Sequence, residues 1–150
     1  MTRDFIQPRY DLDGKTILIT GGTGSFGHAL VELIIREYKP KRVIIFSRDE
    51  FKQYQMALKY SPKEHPFLRF FIGDVRDQQR LETAMRDVDL VVHAAAMKQV
   101  GASEYNPFEC IRTNVIGAEN VITAAIRANI KKVIALSTDK AANPVNLYGA

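Results

Sequence analysis

At 150 residues, 46% apolar and 25% charged, the chain is long enough to bury one globular core. Its formal net charge of +4 comes from basic residues scattered among Asp and Glu, which argues against a nucleic-acid face. A single cysteine, Cys110, excludes an internal disulfide and a cysteine-based metal site, and the lack of a signal-peptide pattern or of the roughly 20 apolar residues that cross a bilayer points to a cytoplasmic protein with no membrane contact.

Residues 1–13 are polar and irregular, with Pro8 and an Asp11-Leu12-Asp13-Gly14 turn, and read as an arm before a single domain over 14–150. Thr16 to Thr20 is a β-branched strand run that stops at Gly21-Gly22-Thr23-Gly24-Ser25-Phe26-Gly27. Helical periodicity follows, with Phe26, Ala29, Leu30, Leu33 and Ile34 on one face. A second strand, Arg42 to Ser47, leads to a short helix over 49–60, a loop at 61–66 and a third strand, Leu68 to Ile72. Asp77 is placed to cap a helix from Gln78 to Met85, and Leu90 to His93 is the fourth strand. Asn106-Pro107-Phe108-Glu109 carries a cap, a proline suited to the first helical position and a capping-box acid, predicting one long helix to about Asn129. Lys132 to Ser137 is the fifth strand. Alternating helices and continuous apolar strands indicate an α/β fold, a doubly wound parallel sheet of the Rossmann type with helices on both faces, stopping after strand five.

A strand, glycine turn and helix leave the first N–H groups of the helix unpaired, and the helix dipole adds partial positive charge there, so a phosphate is the natural occupant. The context predicts a dinucleotide site, with Gly21, Thr23, Gly24, Ser25, Phe26 and Gly27 at the pyrophosphate. The spacing Gly-x-x-Gly-x-x-Gly resembles the extended short-chain dehydrogenase/reductase superfamily. The second strand ends in Ser47-Arg48, whose hydroxyl and guanidinium suit a 2′-phosphate, so NADP is expected over NAD. Asp49 is near enough for a ribose contact, which keeps NAD open. Lys52 and Gln53 either flank the same phosphate or form an exposed helix face. Asp74-Val75 follows the third strand; the resemblance implies that this Asp and its apolar neighbour hold the adenine, against a plain turn Asp. Ala94 and Ala95 let a flat cofactor approach the backbone, and His93 reads as a satisfied buried histidine rather than an acid or base.

Beyond the fifth strand, Ser137-Thr138-Asp139-Lys140 and Tyr148 face the same crevice by the switch-point rule. These residues, with Ser47-Arg48-Asp49-Glu50, Gly73-Asp74-Val75-Arg76-Asp77, His93-Ala94-Ala95-Ala96-Met97-Lys98 and Glu104-Tyr105-Asn106-Pro107, resemble the UDP-N-acetylglucosamine 4,6-dehydratases. The likeness is to their inverting branch, which opens pseudaminic acid or related nucleotide-sugar synthesis; the membrane-anchored retaining relatives generally carry Met at the Tyr148 position. The resemblance implies UDP-N-acetylglucosamine as substrate and homo-oligomers of the full-length enzyme. It implies Tyr148 as the base at the sugar 4-hydroxyl and Lys140 as the base at C5, usable only if burial or nearby cations depress its pKa. Asp139 would be the acid for loss of the 6-hydroxyl, given a raised pKa, and Thr138 an orienting group. The resemblance has Lys98 meet cofactor or substrate, against a plain solvated lysine, and Asn114 resembles the helix Asn that props the active site, against an Asn set by helix packing alone.

Such enzymes carry a Lys four positions after the Tyr, then a sixth strand and a substrate domain, none of which lies in these 150 residues. The chain is therefore expected to be the N-terminal part of a longer enzyme and not to turn over alone. The alternatives are a nucleotide-sugar epimerase or reductase on the same fold and a non-catalytic nucleotide-binding module. Thr138-Asp139-Lys140 favours dehydration, because carbonyl reduction needs no base for C5.

Overall fold

The computed structural model describes residues 10–150; most of the expected arm lies outside them. Five parallel strands, β1 (Thr16–Thr20), β2 (Arg42–Ser47), β3 (Leu68–Ile72), β4 (Leu90–His93) and β5 (Lys132–Ala135), form one sheet in the order β3-β2-β1-β4-β5. Parallel neighbours need crossover connections. These are α1 (Ser25–Glu37), α2 (Glu50–Lys59), α3 (Gln78–Ala84) and a helical run after β4. The chain winds outward from β1 to β3, then returns to place β4 on the other side of β1. The crevice at the carboxyl ends of β1 and β4 is thus a topological switch point.

Each face of the sheet has its own core. Ile17, Ile19, Val43 and Ile45 pack with Val31 and Ile34 of α1 and Met56 of α2. On the opposite face, Leu18, Ile44, Phe46 and Val91 pack with Leu81, Met85, Val121 and Ala124. A fully buried Ile, Leu or Val stabilises by about 1.5–3 kcal/mol, so stability is concentrated in β1, β2 and β4. In β5, the last strand of these 150 residues, Val133 and Ile134 are 39% and 45% exposed.

Three expectations change at the helices. The buried residues of α1 are Gly27, Val31 and Ile34, whereas Phe26 is exposed and Ala29 faces outward. Gly27 needs the close contact with the turn, and that rotates the helix away from the larger apolar stripe. Next, the long helix predicted from Asn106 does run without a break from Pro107 to Arg127, but as α5 (Pro107–Ile111), a π-helical turn at Arg112–Ile116 and α6 (Gly117–Arg127), and an unpredicted short helix, α4 (Val100–Tyr105), precedes it. A π-turn inserts an extra residue into the helical ladder and is a frequent mark of a functional site. Here Asn114 in that turn reaches across to the Met97 backbone. Finally, the capping box does not form. Asn106 Nδ2 donates to Ala102 O at 3.0 Å, while Glu109 pairs with Arg76 and Arg112. Asp77 does cap α3, accepting from Arg80 N, and Asn129 at φ +53° ends the run with Ile130 N bonded to Ala125 O.

Candidate functional site

The switch point opens into two adjoining chambers of about 340 and 460 Å³ that share Gly21, Gly24, Ala94, Ala95, Ala96 and Lys98 as their common wall. The first reaches from the glycine turn to the ends of β2 and β3. The second runs between Ser25-Phe26, the π-turn and the segment after β5.

The turn admits no side chains where it meets its neighbours. Gly21 has φ +65°, and a Cβ there would lie 2.8 Å from Ala95 Cα; a Cβ on Gly27 would lie 2.0 Å from Gly22 O. The chain therefore brings β1, the start of α1 and the end of β4 to backbone contact. No side chain caps α1 at Gly24, which leaves its first-turn N–H groups for an anion. Thr20, the last residue of β1, secures the opposite wall. Its Oγ1 accepts from Ala94 N at 3.1 Å and Ala95 N at 3.2 Å and lies 2.7 Å from His93 Nδ1. With two donors already on the oxygen, the hydroxyl proton goes to Nδ1, which puts the His93 proton on Nε2. Burial pushes the His93 pKa below its ordinary value, so the ring is kept neutral. That agrees with a satisfied histidine.

The ends of β2 and β3 supply charge. Ser47, Arg48, Asp49, Lys52, Asp74 and Val75 all line the first chamber with Thr23. Asp49 caps α2 through Lys52 N at 3.0 Å, and that bond, opposed by desolvation and aided by the Lys52 charge, holds its carboxyl below the usual range. Asp74 is pulled two ways: burial raises its pKa, but Arg76, through Nε, Nη2 and its backbone N–H, outweighs burial, and Arg48 at 3.7 Å adds to it. The carboxylate stays ionised. Arg76 then reaches Glu109 on α5 at 2.6 Å, tying the β3 edge to the far side of the crevice.

In the second chamber Tyr148, Thr138, Ser137 and Lys98 converge with Ser25 and Phe26. Asn114 Oδ1 accepts from Met97 N at 2.8 Å and its Nδ2 donates to Met97 O at 2.9 Å, a two-bond clamp beside Lys98. Leu147 N, next to Tyr148, donates to Glu104 Oε1 at 2.7 Å.

A family model described as "Polysaccharide biosynthesis protein" matches residues 17–150. The chain belongs to that family. Among curated relatives it is 61% identical over 136 residues to a UDP-N-acetylglucosamine 4,6-dehydratase (inverting) of Campylobacter jejuni, covering 91% of this chain and 40% of that enzyme. It is 51% identical over 138 residues to a UDP-glucose 4-epimerase of Rickettsia akari, with 90% and 40% covered. Among solved structures, Pen from Bacillus thuringiensis superposes with a TM-score of 0.89 at 42% identity, covering 93% of this chain and 44% of Pen. UDP-glucose 4-epimerase from Bifidobacterium longum, in complex with NAD+ and UDP, superposes with a TM-score of 0.71 at 27% identity, covering 89% and 44%. This member of the polysaccharide biosynthesis family thus spans about 40% of the length of the curated relatives it matches.

Within this family member, three residues expected at the site stand away from the chamber walls. Gln53 is a correction: it is 4% exposed, and its Nε2 donates to Ser47 O at 3.0 Å, Ser47 Oγ at 3.1 Å and Phe71 O at 3.1 Å. It laces β2 to β3 and neither flanks a phosphate nor sits on an exposed face. Asp139 and Lys140 occupy a short 3-10 turn outside the lining of either chamber, paired with each other at 3.3 Å. The hydrogen bond from Lys140, then that from Thr138, lowers the Asp139 pKa, opposite to the rise an acid needs. Lys140 is exposed beside this anion rather than buried among cations. Among the described residues no group of His, Cys, Asp and Glu is arranged to hold a metal, and no helix is long and apolar enough to cross a membrane. Sequence reasoning missed Thr20 and Met97 as scaffolding. The signal available for Thr20 was a hydroxyl ending an apolar strand run immediately before the glycines.

Proposed function

We propose that this chain carries the cofactor-binding and catalytic segments of an NADP-dependent UDP-N-acetylglucosamine 4,6-dehydratase acting with inversion at C5. That reaction opens synthesis of pseudaminic acid or a related surface sugar. The observation that carries the reading is the joining of the two chambers, with Tyr148 and Thr138 in the same chamber as Ser25 and Phe26 at the uncapped start of α1. The glycine cradle and the cationic rim of Arg48 and Lys52 fit a dinucleotide carrying a 2′-phosphate. The NAD+ named with the Bifidobacterium epimerase supports a nicotinamide dinucleotide without choosing between the two.

Bound there, a nicotinamide cofactor supplies reversible redox chemistry at the sugar. Tyr148 takes the proton of the 4-hydroxyl as C4 is oxidised, and the resulting ketone acidifies C5–H. Lys140 removes that proton while Asp139 protonates the departing 6-hydroxyl, so that water leaves across C5 and C6. The hydride given up by C4 to a bound nicotinamide would then return to C6, and a proton delivered to C5 from the opposite face would complete the 6-deoxy product with inversion. For those roles the Asp139–Lys140 pair has to open and turn inward over the substrate, since as it stands the pair keeps the carboxyl ionised. Thr138 Oγ1, 3.2 Å from Asp139 Oδ1, is placed to guide that movement.

The test supplies the intact protein with UDP-N-acetylglucosamine and no added reductant. A 4-keto-6-deoxy product, one water lighter than the substrate, is expected. The relationship to a UDP-glucose 4-epimerase motivates a second reading, under which the product is an epimer of unchanged mass. A need for stoichiometric NADPH would sink both. The 150-residue chain alone is expected to bind the dinucleotide without turnover.

A further inference from the structure

The segment from Thr138 to Ala150, which carries Tyr148 into the second chamber, bonds almost wholly to itself. Asn146 Oδ1 accepts from Gly149 N at 2.8 Å and Asn146 O from Ala150 N at 3.0 Å, closing a turn around Leu147 and Tyr148. That turn sits on the one before it, with Gly149 so close to Lys140 O that a Cβ on the glycine would clash. Among the described residues one hydrogen bond leaves the segment, from Leu147 N to Glu104 Oε1 on α4 at 2.7 Å. Its length is that of a charge-assisted bond to a carboxylate. α4 is a firm mount for it. The helix starts just beyond Lys98 of the chambers' shared wall, Ser103 N donates to Gln99 O at 2.9 Å, and Ser103 is 0% exposed.

We infer that Glu104 is a positioning residue for Tyr148, its carboxylate fixing the turn that presents the phenol to the sugar. This rests on the dehydratase reading above. Glu104 is exposed and lines neither chamber, so it touches no reacting group. It acts through the neighbouring peptide. Among the described residues no hydrogen bond reaches the Tyr148 side chain, so the place of the phenol follows that of its backbone turn. A base has to come within about 2.6–3.2 Å of the hydroxyl it deprotonates, and a displacement of about 1 Å can cost about a hundredfold in rate. Without its acceptor at Leu147 N–H, the turn would keep its internal bonds but could shift as a unit. The bonds inside the segment thus shape the turn, and the bond to Glu104 ties that shape to the β4 side of the crevice, where Lys98 and the glycine turn stand.

The experiment compares the intact protein with its Glu104→Ala, Glu104→Gln and Tyr148→Phe variants. It measures kcat and KM for UDP-N-acetylglucosamine, the dissociation constant of NADP+, the melting temperature, and amide hydrogen exchange in the peptide that holds Leu147. Glu104→Ala is expected to lower kcat about ten- to hundredfold, with KM and NADP+ affinity within about twofold of the parent. Exchange at Leu147 should quicken about tenfold or more, and the melting temperature should hold, because no core is uncovered. Glu104→Gln keeps an oxygen that can accept from Leu147 N–H, so it should restore the exchange protection and bring kcat to within about threefold of the parent. Parental kcat in Glu104→Ala overturns the inference, as does unchanged exchange at Leu147 or a glutamine variant as slow as the alanine one. So does a lower melting temperature with NADP+ affinity lost in parallel, which would make Glu104 a residue of the fold. Absence of a 4-keto-6-deoxy product from the unaltered protein, or parental turnover by Tyr148→Phe, instead overturns the dehydratase reading, and this inference with it.

Discussion

Around the glycine turn the polar groups are engaged across several strands. Thr20 holds the β4 end, Gln53 joins β2 to β3, and Asp74 is ringed by Arg76 and Arg48. The segment after β5 is held differently. Thr138, Asp139 and Lys140 bond chiefly to one another, and the Leu147 N–H to Glu104 bond fastens the approach to Tyr148. The first region is thus a preformed receptacle fixed by the sheet, and the second a loop whose reacting groups are set by short-range bonds. Binding and chemistry should separate under mutation. Changes at the turn should damage folding and nucleotide affinity together, and changes after β5 should damage turnover alone.

Gly27→Ala should have the largest effect. Its Cβ meets the Gly22 backbone rather than a movable side chain, so the helix must shift, at about 3 kcal/mol of unfolding free energy. Nucleotide affinity should fall with it, since the displaced first turn is the phosphate seat. Denaturant unfolding and calorimetric titration read the two quantities, and an unchanged midpoint with unchanged affinity would remove the premise of a rigid receptacle. Thr20→Val should follow at about 1–2 kcal/mol, because Ala95 N–H loses its acceptor while Ala94 N–H keeps Thr20 O at 3.2 Å. Thr20→Ser should recover most of the loss; a serine variant as unstable as the valine one would point to methyl packing instead.

The same contrast explains what was legible in the sequence. Strands β1 to β4 and the glycine turn read clearly because apolar runs, helix periodicity and turn chemistry all agree there. The buried face of α1 was hidden because backbone contact at Gly27, not the size of Phe26, decides its rotation. The π-turn was invisible because an inserted residue leaves composition unchanged, and because the inward positions Cys110, Thr113 and Gly117 are small while Phe108 and Val115 face outward. At the site, residue types identified Arg48, Asp74 and Tyr148 as wall residues, but not the burial of Gln53. The pairing of Asp139 with Lys140 is a rotamer-level fact that spacing does not encode.

An intermediate effect is expected from pH at the edge of the receptacle. His93 is held below its ordinary pKa of 6.5 by burial, so the unfolded chain binds a proton that the folded one refuses. Stability should therefore be level in this respect above about pH 6.5 and fall as the pH drops from there toward the folded pKa. His93→Asn, whose Oδ1 can still accept from Thr20, should flatten that part of the profile. Parallel profiles for the two proteins would show that the ring titrates as freely in the fold as outside it.

Asp139→Asn should disturb the fold least. Its side chain is 88% exposed, and its lowered pKa comes first from the neighbouring Lys140, then from Thr138, both within the same turn. Removing the charge releases Lys140 without uncovering core, so the melting temperature and the affinity for NADP+ should match those of the unaltered protein. Turnover of UDP-N-acetylglucosamine by the intact protein should nevertheless fall by about a hundredfold or more, since the leaving hydroxyl loses its proton donor. The pair of measurements is what discriminates. A lower melting temperature would mean that the segment after β5 is built into the receptacle. Undiminished turnover would leave Tyr148 and Lys140 to accomplish dehydration without this carboxyl.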